Sequence, residues 1–385
     1  MNHSWNIKRL GDICTSELGK TRDEKRNKGS FRPNLCAVNV QWDKFELSEL
    51  KEMRFEDNEY DRYTIRKGDL VICEGGDIGR AAIWDKDEPI HYQNALHRVR
   101  FNEGVDSRFI LYYLYFLKQT GILDGRYGKG VTIKHLVKSS LLSIPVPVPP
   151  IDEQQRIVFE LDLLTDIIDK KNAQIHDLDN LAQSIFYEMF GDPSINEKGW
   201  PVVALETIAE SRIGLTYKPE NVSEEGTIVL RSSNIQESEI DLKDIVRVNC
   251  PIKENQYVQE GDILMCSRNG SFKLVGKVAK IGTLPERMSY GAFMTTIRSK
   301  YNPYLFEFFK LPAFRTQLGL AKTATINQIT VKMLANTEVA LPPLDLQRAF
   351  EKRVASIYAQ KASIKQSMKD CQNLLDSRML MYFND

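Results

Sequence analysis

The chain has 385 residues in which 52 Lys and Arg balance 52 Asp and Glu, with 42% apolar and 27% charged side chains, the composition of an ordinary soluble globular protein. No run approaches the roughly 18 to 20 consecutive apolar residues of a membrane span, and the opening Met1-Asn2-His3-Ser4-Trp5 lacks the apolar stretch of a signal peptide, so the expectation is a cytoplasmic protein with no membrane partner. The cysteines (Cys14, Cys36, Cys73, Cys250, Cys266, Cys371) are scattered, without a Cys-x-x-Cys pair or a nearby histidine at metal spacing, and are read as reduced thiols, mostly in cores, with neither disulfide nor zinc.

The first elements of the chain return later in it. Trp5, Leu10, Ile13, Gly19 and Thr21 recur as Trp200, Leu205, Ile208, Gly214 and Thr216. Further along, Gly68-Asp69-Leu70 becomes Gly261-Asp262-Ile263, Pro149-Pro150 becomes Pro342-Pro343, and Asp152 and Gln154 become Asp345 and Gln347. Matches that keep their order over the whole length mark a tandem duplication. Within a copy, Leu70-Val71-Ile72-Cys73 and Ala81-Ala82-Ile83-Trp84 are short apolar runs bounded by Gly75-Gly76 and Asp85, which predicts strands and turns. Residues 109–118 predict a buried helix whose aromatics Tyr112, Tyr113, Tyr115 and Phe116 belong to a core, and 143–150 a proline-punctuated extended exit.

After Asp152 the period changes. Ile157, Leu161, Leu164, Ile168, Lys171, Ile175, Leu178, Ala182, Ile185 and Met189 step alternately by four and three, the seam of a coiled coil. The second copy repeats it as Phe350, Val354, Ile357, Lys361, Ile364, Met368, Cys371, Leu375, Arg378 and Tyr382. The net charge is −7 over residues 151–193 and +2 over 344–385, so the two helices attract, and a pseudo-two-fold sets them antiparallel. The expected fold is α+β: a duplicated mixed domain, each copy followed by a long helix. The domains are 1–150, spacer helix 151–190, linker 191–199, second domain 200–343 and spacer helix 344–383.

No catalytic motif survives inspection. Residues 270–277 imitate a phosphate loop but place five residues between the glycines and Val278 where Ser or Thr must reach Mg²⁺. Asn302-Pro303-Tyr304 falls one proline short of an amino-methyltransferase motif, and no Gly-rich cofactor loop accompanies it. Basic residues cluster instead: Lys20, Arg22, Lys25, Arg26, Lys28 and Arg32 against Asp23 and Glu24, then Arg126, Lys129, Lys134 and Lys138 with no acid between 125 and 138. Residues 263–343 hold eleven basic against three acidic side chains. Such loops suit phosphates, with neighbouring amides and guanidiniums for base edges. On these residues alone a coiled-coil scaffold that binds no DNA, or a stand-alone duplicated nuclease, stays open, and each basic cluster could equally be a solvated loop.

The tandem architecture, the Trp-x-x-x-x-Leu-x-x-Ile openings, Gly214-Leu215-Thr216-Tyr217-Lys218-Pro219, Leu230-Arg231-Ser232-Ser233-Asn234-Ile235 and Pro149-Pro150-Ile151-Asp152-Glu153-Gln154 together resemble the specificity subunit of type I restriction-modification systems over essentially the full chain. The second helix entrance departs, with Leu346 where the first copy has Glu153. The resemblance implies two target recognition domains that each read half of a split, asymmetric double-stranded DNA sequence. It implies spacer helices that dock two methyltransferase subunits, and restriction or translocase subunits that join afterwards. S-adenosylmethionine, ATP and Mg are then cofactors of the partners, with none in this chain, which has no reaction of its own. By position it points to Lys20, Thr21, Arg22, Arg80, Asn94, His97 and Arg98 in the first copy, and to Thr216, Tyr217, Lys218, Arg231, Ser232, Asn234, Arg268, Asn269 and Ser271 in the second, as DNA-facing. Arg126, Lys129, Thr132, Lys322, Thr323 and Thr325 are the phosphate candidates. For His97 a satisfied strand histidine is an equal alternative.

Overall fold

The computed structural model describes residues 5–130, 134–319 and 328–384. The chain divides into two compact units, Met1–Asn172 with Lys365–Asp385, and Ala173–Ile364.

In the first unit a central antiparallel sheet runs Cys14–Leu18, Leu96–Phe101, Leu70–Cys73, Ala81–Ile83. Strand Leu70–Cys73 is apolar at every position because both its faces are covered. Leu70 and Ile72 point into one core, beside the helix Ser107–Gln119, while Val71 and Cys73 point into another, beneath a second sheet. That second sheet runs Lys51–Phe55, Ser30–Leu35, Ile90–Tyr92, Thr64–Ile65, and its inner pair Ser30–Leu35 and Ile90–Tyr92 is parallel. The helix starts where the Asp106 carboxylate accepts the backbone N–H groups of Arg108 and Phe109. Its aromatics serve the core as expected: Tyr112, Tyr113 and Phe116 are buried, and Tyr115 packs edge-on against Trp42. The proline-punctuated exit Pro145–Val148 pairs antiparallel with the entry strand Asn6–Arg9.

The second unit repeats this plan. Its central sheet is Glu210–Ile213, Met294–Arg298, Ile263–Cys266, Val278–Lys280. Ile263 and Met265 face the helical side and Leu264 and Cys266 the other. In its outer sheet Thr227–Leu230 and Met288–Tyr290 are again the parallel pair. An extra edge strand, Val222–Ser223, is added, and a single bridge, Tyr257 to Ser289, stands where the first copy has the strand Thr64–Ile65.

The recurring residues recur for physical reasons. Asp69 accepts the Arg66 N–H and grips Arg100 at 2.6 and 2.9 Å, and Asp262 does the same with Gln259 and Arg298. Gly19 and Gly214 lie so close to the neighbouring chain that an added Cβ would stand 2.1 Å from the Gln93 carbonyl oxygen and 2.2 Å from that of Tyr290. Asn302 is spent on the fold, since its amide donates to the carbonyls of Gly261 and Ile297. Residues 270–277 lie between two strands, with only the short 3₁₀ turn Phe272–Leu274 among them, and open no helix. Four of the cysteines, Cys14, Cys36, Cys73 and Cys266, are buried, and burial raises each thiol, that of Cys73 to about 11.

Two helices, Ile151–Phe190 and Leu344–Phe383, have 40 residues each, about 60 Å at 1.5 Å per residue. The entrance motif fastens them: the buried Gln154 amide donates to the carbonyls of Pro149 and Gly104 and accepts the Asp106 N–H. Gln347 keeps the bond to Pro342 at 2.8 Å, while Leu346 packs on the apolar core. Every seam position, from Ile157 to Met189 and from Phe350 to Tyr382, is buried or half-buried.

The helices form an antiparallel coiled coil, visible in each unit. In the first, Glu160 meets Arg378 at 2.8 Å and Tyr382 at 2.5 Å. In the second, Asp179 meets Lys361 at 2.5 Å and Glu188 meets Arg353 at 2.8 Å. The two charged interruptions of the second seam, Lys361 and Arg378, thus both pair with a carboxylate of the first helix.

Replacing Asp179 with Ala leaves the Lys361 ammonium buried without its partner. Because Asp179 is itself part-exposed, the expected loss is about 1–3 kcal/mol, below the range for a fully buried pair. The double variant Asp179→Leu, Lys361→Met should regain most of it. Denaturant unfolding of the three proteins checks this; equal losses in the single and double variants would contradict it.

Candidate nucleic-acid interface

In the second unit, four separate segments converge on one groove. It is lined by Leu215, Thr216 and Tyr217 after the first central strand, by Arg231 to Ser233 on a 3₁₀ turn, by Asp244, and by Gly291 to Met294 between two strands. A further segment joins through hydrogen bonding: the Asn269 amide donates to Ser232 Oγ at 3.0 Å, and Asn269 Oδ1 accepts the Ser271 N–H. Arg268 lays its guanidinium 5.5 Å from the centre of the Phe293 ring. Thr216, Arg268 and Ser271 are exposed, and Tyr217 and Ser232 half-exposed. Lys218 is exposed and pairs with Glu220, at 3.4 Å. The structure therefore brings Thr216, Tyr217, Arg231, Ser232, Arg268 and Asn269 together, although 53 positions separate Thr216 from Asn269 in the sequence.

Two of the expected residues play another part there. Asn234 is fully buried: its Oδ1 accepts the Arg231 N–H, and its amide donates to the carbonyls of Asp241 and Asp244. Asn39 makes the same three bonds in the first unit, to Cys36, Glu46 and Glu49. Arg231 is half-exposed and held by the Asp244 carboxylate at 2.8 Å.

The first unit gathers the corresponding loops. Lys20 bridges to Gln93, the Asn94 N–H donates to the Lys20 carbonyl, the Glu74 N–H donates to the Ala95 carbonyl, and Gly75 and Lys129 both bridge to His135. Thr21, Arg22, Arg126 and Lys129 are exposed on these loops and Asn94 is half-exposed. Four expectations need correction. Lys20 is buried against Glu59 and the Phe55 ring. His97 is fully buried, with Nε2 at 2.8 Å from the Leu136 carbonyl, and burial pushes its imidazole below the usual range. Arg98 is buried and donates to the carbonyls of Asp61, Arg62 and Thr64. Arg80 donates to the Ala37 carbonyl at 2.7 Å. Nor is the stretch from 20 to 32 a free basic patch, because Arg22, Arg26 and Arg32 pair with Glu24, Asp23 and Asp57. Thr132, Lys322, Thr323 and Thr325 lie outside the described residues.

Sequence reasoning missed two exposed apolar side chains on these loops, Val38 and Phe293. Neither falls in a periodic pattern; the one available signal is position, between elements that are otherwise polar at their tips. Among the described residues no cluster of His, Cys, Asp and Glu is arranged to hold a metal ion, and no helix is long and apolar enough to cross a membrane.

Asn234→Ala, and likewise Asn39→Ala, leaves buried backbone groups without partners and should cost about 2–3 kcal/mol. Thr216→Ala and Ser271→Ala, at exposed sites, should stay within about 0.5 kcal/mol of the parent. Denaturant unfolding separates the two classes, and a neutral Asn234→Ala would remove its structural role.

A family model described as the type I restriction modification DNA specificity domain matches the chain twice, over residues 2–178 and 197–369. The type I restriction enzyme EcoKI specificity subunit of Escherichia coli is 26% identical, over 95% of this chain and 84% of its own. The MjaVIII specificity subunit of Methanocaldococcus jannaschii is 24% identical, over 96% and 92%. Among solved structures, the S subunit of a type I restriction-modification system from M. genitalium superposes with a TM-score of 0.52 at 14% identity, covering 100% of this chain and 97% of that one, a likeness of fold. With two matches that together span most of its length, and a duplicated fold shared with that S subunit, the chain belongs to the family of type I restriction-modification DNA specificity proteins.

Proposed function

We propose that this chain is the sequence-reading subunit of a type I restriction-modification complex, and that each unit recognises one half of a bipartite, asymmetric double-stranded DNA target. The observation that carries this is the convergence of Thr216, Tyr217, Ser232, Arg268 and Asn269 on one groove, a collection of donors, acceptors and a guanidinium of the kind that reads base edges. Family membership and the corresponding loops of the first unit support it. Arg126, on the helical turn Leu123–Tyr127, and Lys129, just after it, are both exposed and serve as phosphate contacts that hold the register.

The chain performs no reaction of its own in this reading. Two methyltransferase subunits dock on the long helices, restriction or translocase subunits join them in the cytoplasm, and S-adenosylmethionine, ATP and Mg are held by those partners. Phe159, Leu163 and Ile167 support the docking: they follow one another at every fourth residue of the first helix and are exposed, an apolar stripe on a helix whose seam is already covered. One solved relative of similar fold, with a TM-score of 0.52 at 18% identity, comes from work on complex assembly and conformational transition of a type I system.

Exchanging residues 1–148 for those of a relative, with the modification subunits present, should change the methylated sequence in one half only, as read by methylation mapping. A change in both halves overturns the assignment of one half-site per unit. Neutralising Arg126 and Lys129 together should weaken binding to all sequences alike and lower the salt slope by about one unit for each phosphate these side chains neutralise. A change in the preferred bases would make these residues base readers.

A further inference from the structure

Phe293 is 58% exposed, in a groove otherwise lined largely by polar and small side chains. It sits at the apex joining strands Met288–Tyr290 and Met294–Arg298, and the backbone there is held from several sides. The Gly291 N–H donates to the Leu230 carbonyl, the Met294 N–H to that of Gly291, and the N–H groups of Ser267 and Arg268 both donate to the Phe293 carbonyl. The ring thus stands on a fixed base and is not a loop side chain that has slipped out of a core. Arg268 lies over it and gives this apolar tip a positive flank. In the sequence, residues 263–343, which carry Phe293 and Arg268, hold eleven basic and three acidic residues, and residues 200–262, which carry the groove's Asp244, hold six and twelve, so the positive charge lies on the side of the groove that presents the ring.

The first unit answers with different chemistry at the same place. Tyr92 and Tyr290 end the equivalent strands and Leu96 and Met294 begin the next, so Gln93-Asn94-Ala95 occupies the apex where the second unit has Gly291-Ala292-Phe293. One apex offers two amides, the other a bare aromatic ring. In the major groove an amide suits adenine, whereas an apolar side chain finds its match in the 5-methyl group of thymine.

We propose that Phe293 is a specificity-determining residue that reads a thymine methyl group in the half-site of the second unit. This rests on the DNA-reading function proposed above. Once methylation mapping has identified the target, each thymine of a duplex carrying it is replaced in turn by deoxyuridine, which deletes only the methyl group. Binding is measured with the full chain in complex with its modification subunits. The parent protein should bind roughly fourfold more weakly at one position of the second half-site, the worth of about one buried methyl group. Phe293→Ala should lose that sensitivity, and Phe293→Leu should keep most of it. Because the side chain is exposed, both variants should unfold like the parent, which denaturant titration verifies.

Uniform binding of the parent to all uridine-substituted duplexes, or a Phe293→Ala protein still sensitive at the same position, overturns the inference while leaving sequence recognition intact. Sensitivity confined to the first half-site overturns it as well. If no duplex is bound in a sequence-dependent way, the DNA-reading function itself fails, and this inference with it.

Discussion

The apolar seams of the two long helices are the constraint on which the architecture depends. A helix of 40 residues with a long apolar stripe cannot stand in water alone, and here the stripes meet each other along the seam and enter a globular core near their ends. In the first unit Ile157 and Leu161 from one helix and Leu375, Met379, Tyr382 and Phe383 from the other enter the same core as Phe109 and Leu70. In the second, Ala182, Ile185 and Phe186 join Phe350, Val354 and Ile357 around Tyr304 and Phe308. The helices are therefore structural members of both units and not tethers between finished domains. Hydrophobic burial is non-directional, so it does not fix how far one helix slides along the other. The ion pairs at Glu160, Asp179 and Glu188 do, because each charged partner is matched in one register.

The same division of labour governs the loops around the groove. Buried polar residues such as Asn39, Asn234, Asp69 and Asp262 hold turns and strand ends by satisfying backbone groups that would otherwise be orphaned. Around these fixed points the exposed residues differ between the copies. Duplication thus keeps the scaffold and frees the tips: Asn234 repeats Asn39 bond for bond, while Phe293 faces solvent where the first copy has Ala95.

The duplication and the helices were legible because they rest on periodicity and order, which a sequence displays directly. Gly19, Gly68, Asp69 and Gln154 could be matched to their second copies before any geometry was known. The interface was legible only in part. A sequence shows that Lys20, Arg98, His97 and Asn234 are polar and lie in the right segments, but not that Glu59, the carbonyls of residues 61 to 64, the carbonyl of Leu136 and two turn carbonyls consume them. Whether a polar side chain faces inward or outward depends on partners distant in the chain. For the same reason Phe293, an apolar residue that faces outward, gave no signal, whereas Thr216, Ser232 and Asn269 were candidates by their loops, and the structure brings them to one groove.

The sharing of Leu375, Met379, Tyr382 and Phe383 with the first core bears on how the protein is made. Residue 172 leaves the ribosome long before residue 365, and at about 5–20 residues per second the interval is roughly 10–40 s. Until then the part of the first core that receives these four side chains lacks its cover. The final turns of the second helix close the first unit, so its core is complete only once residues 375–383 have been made.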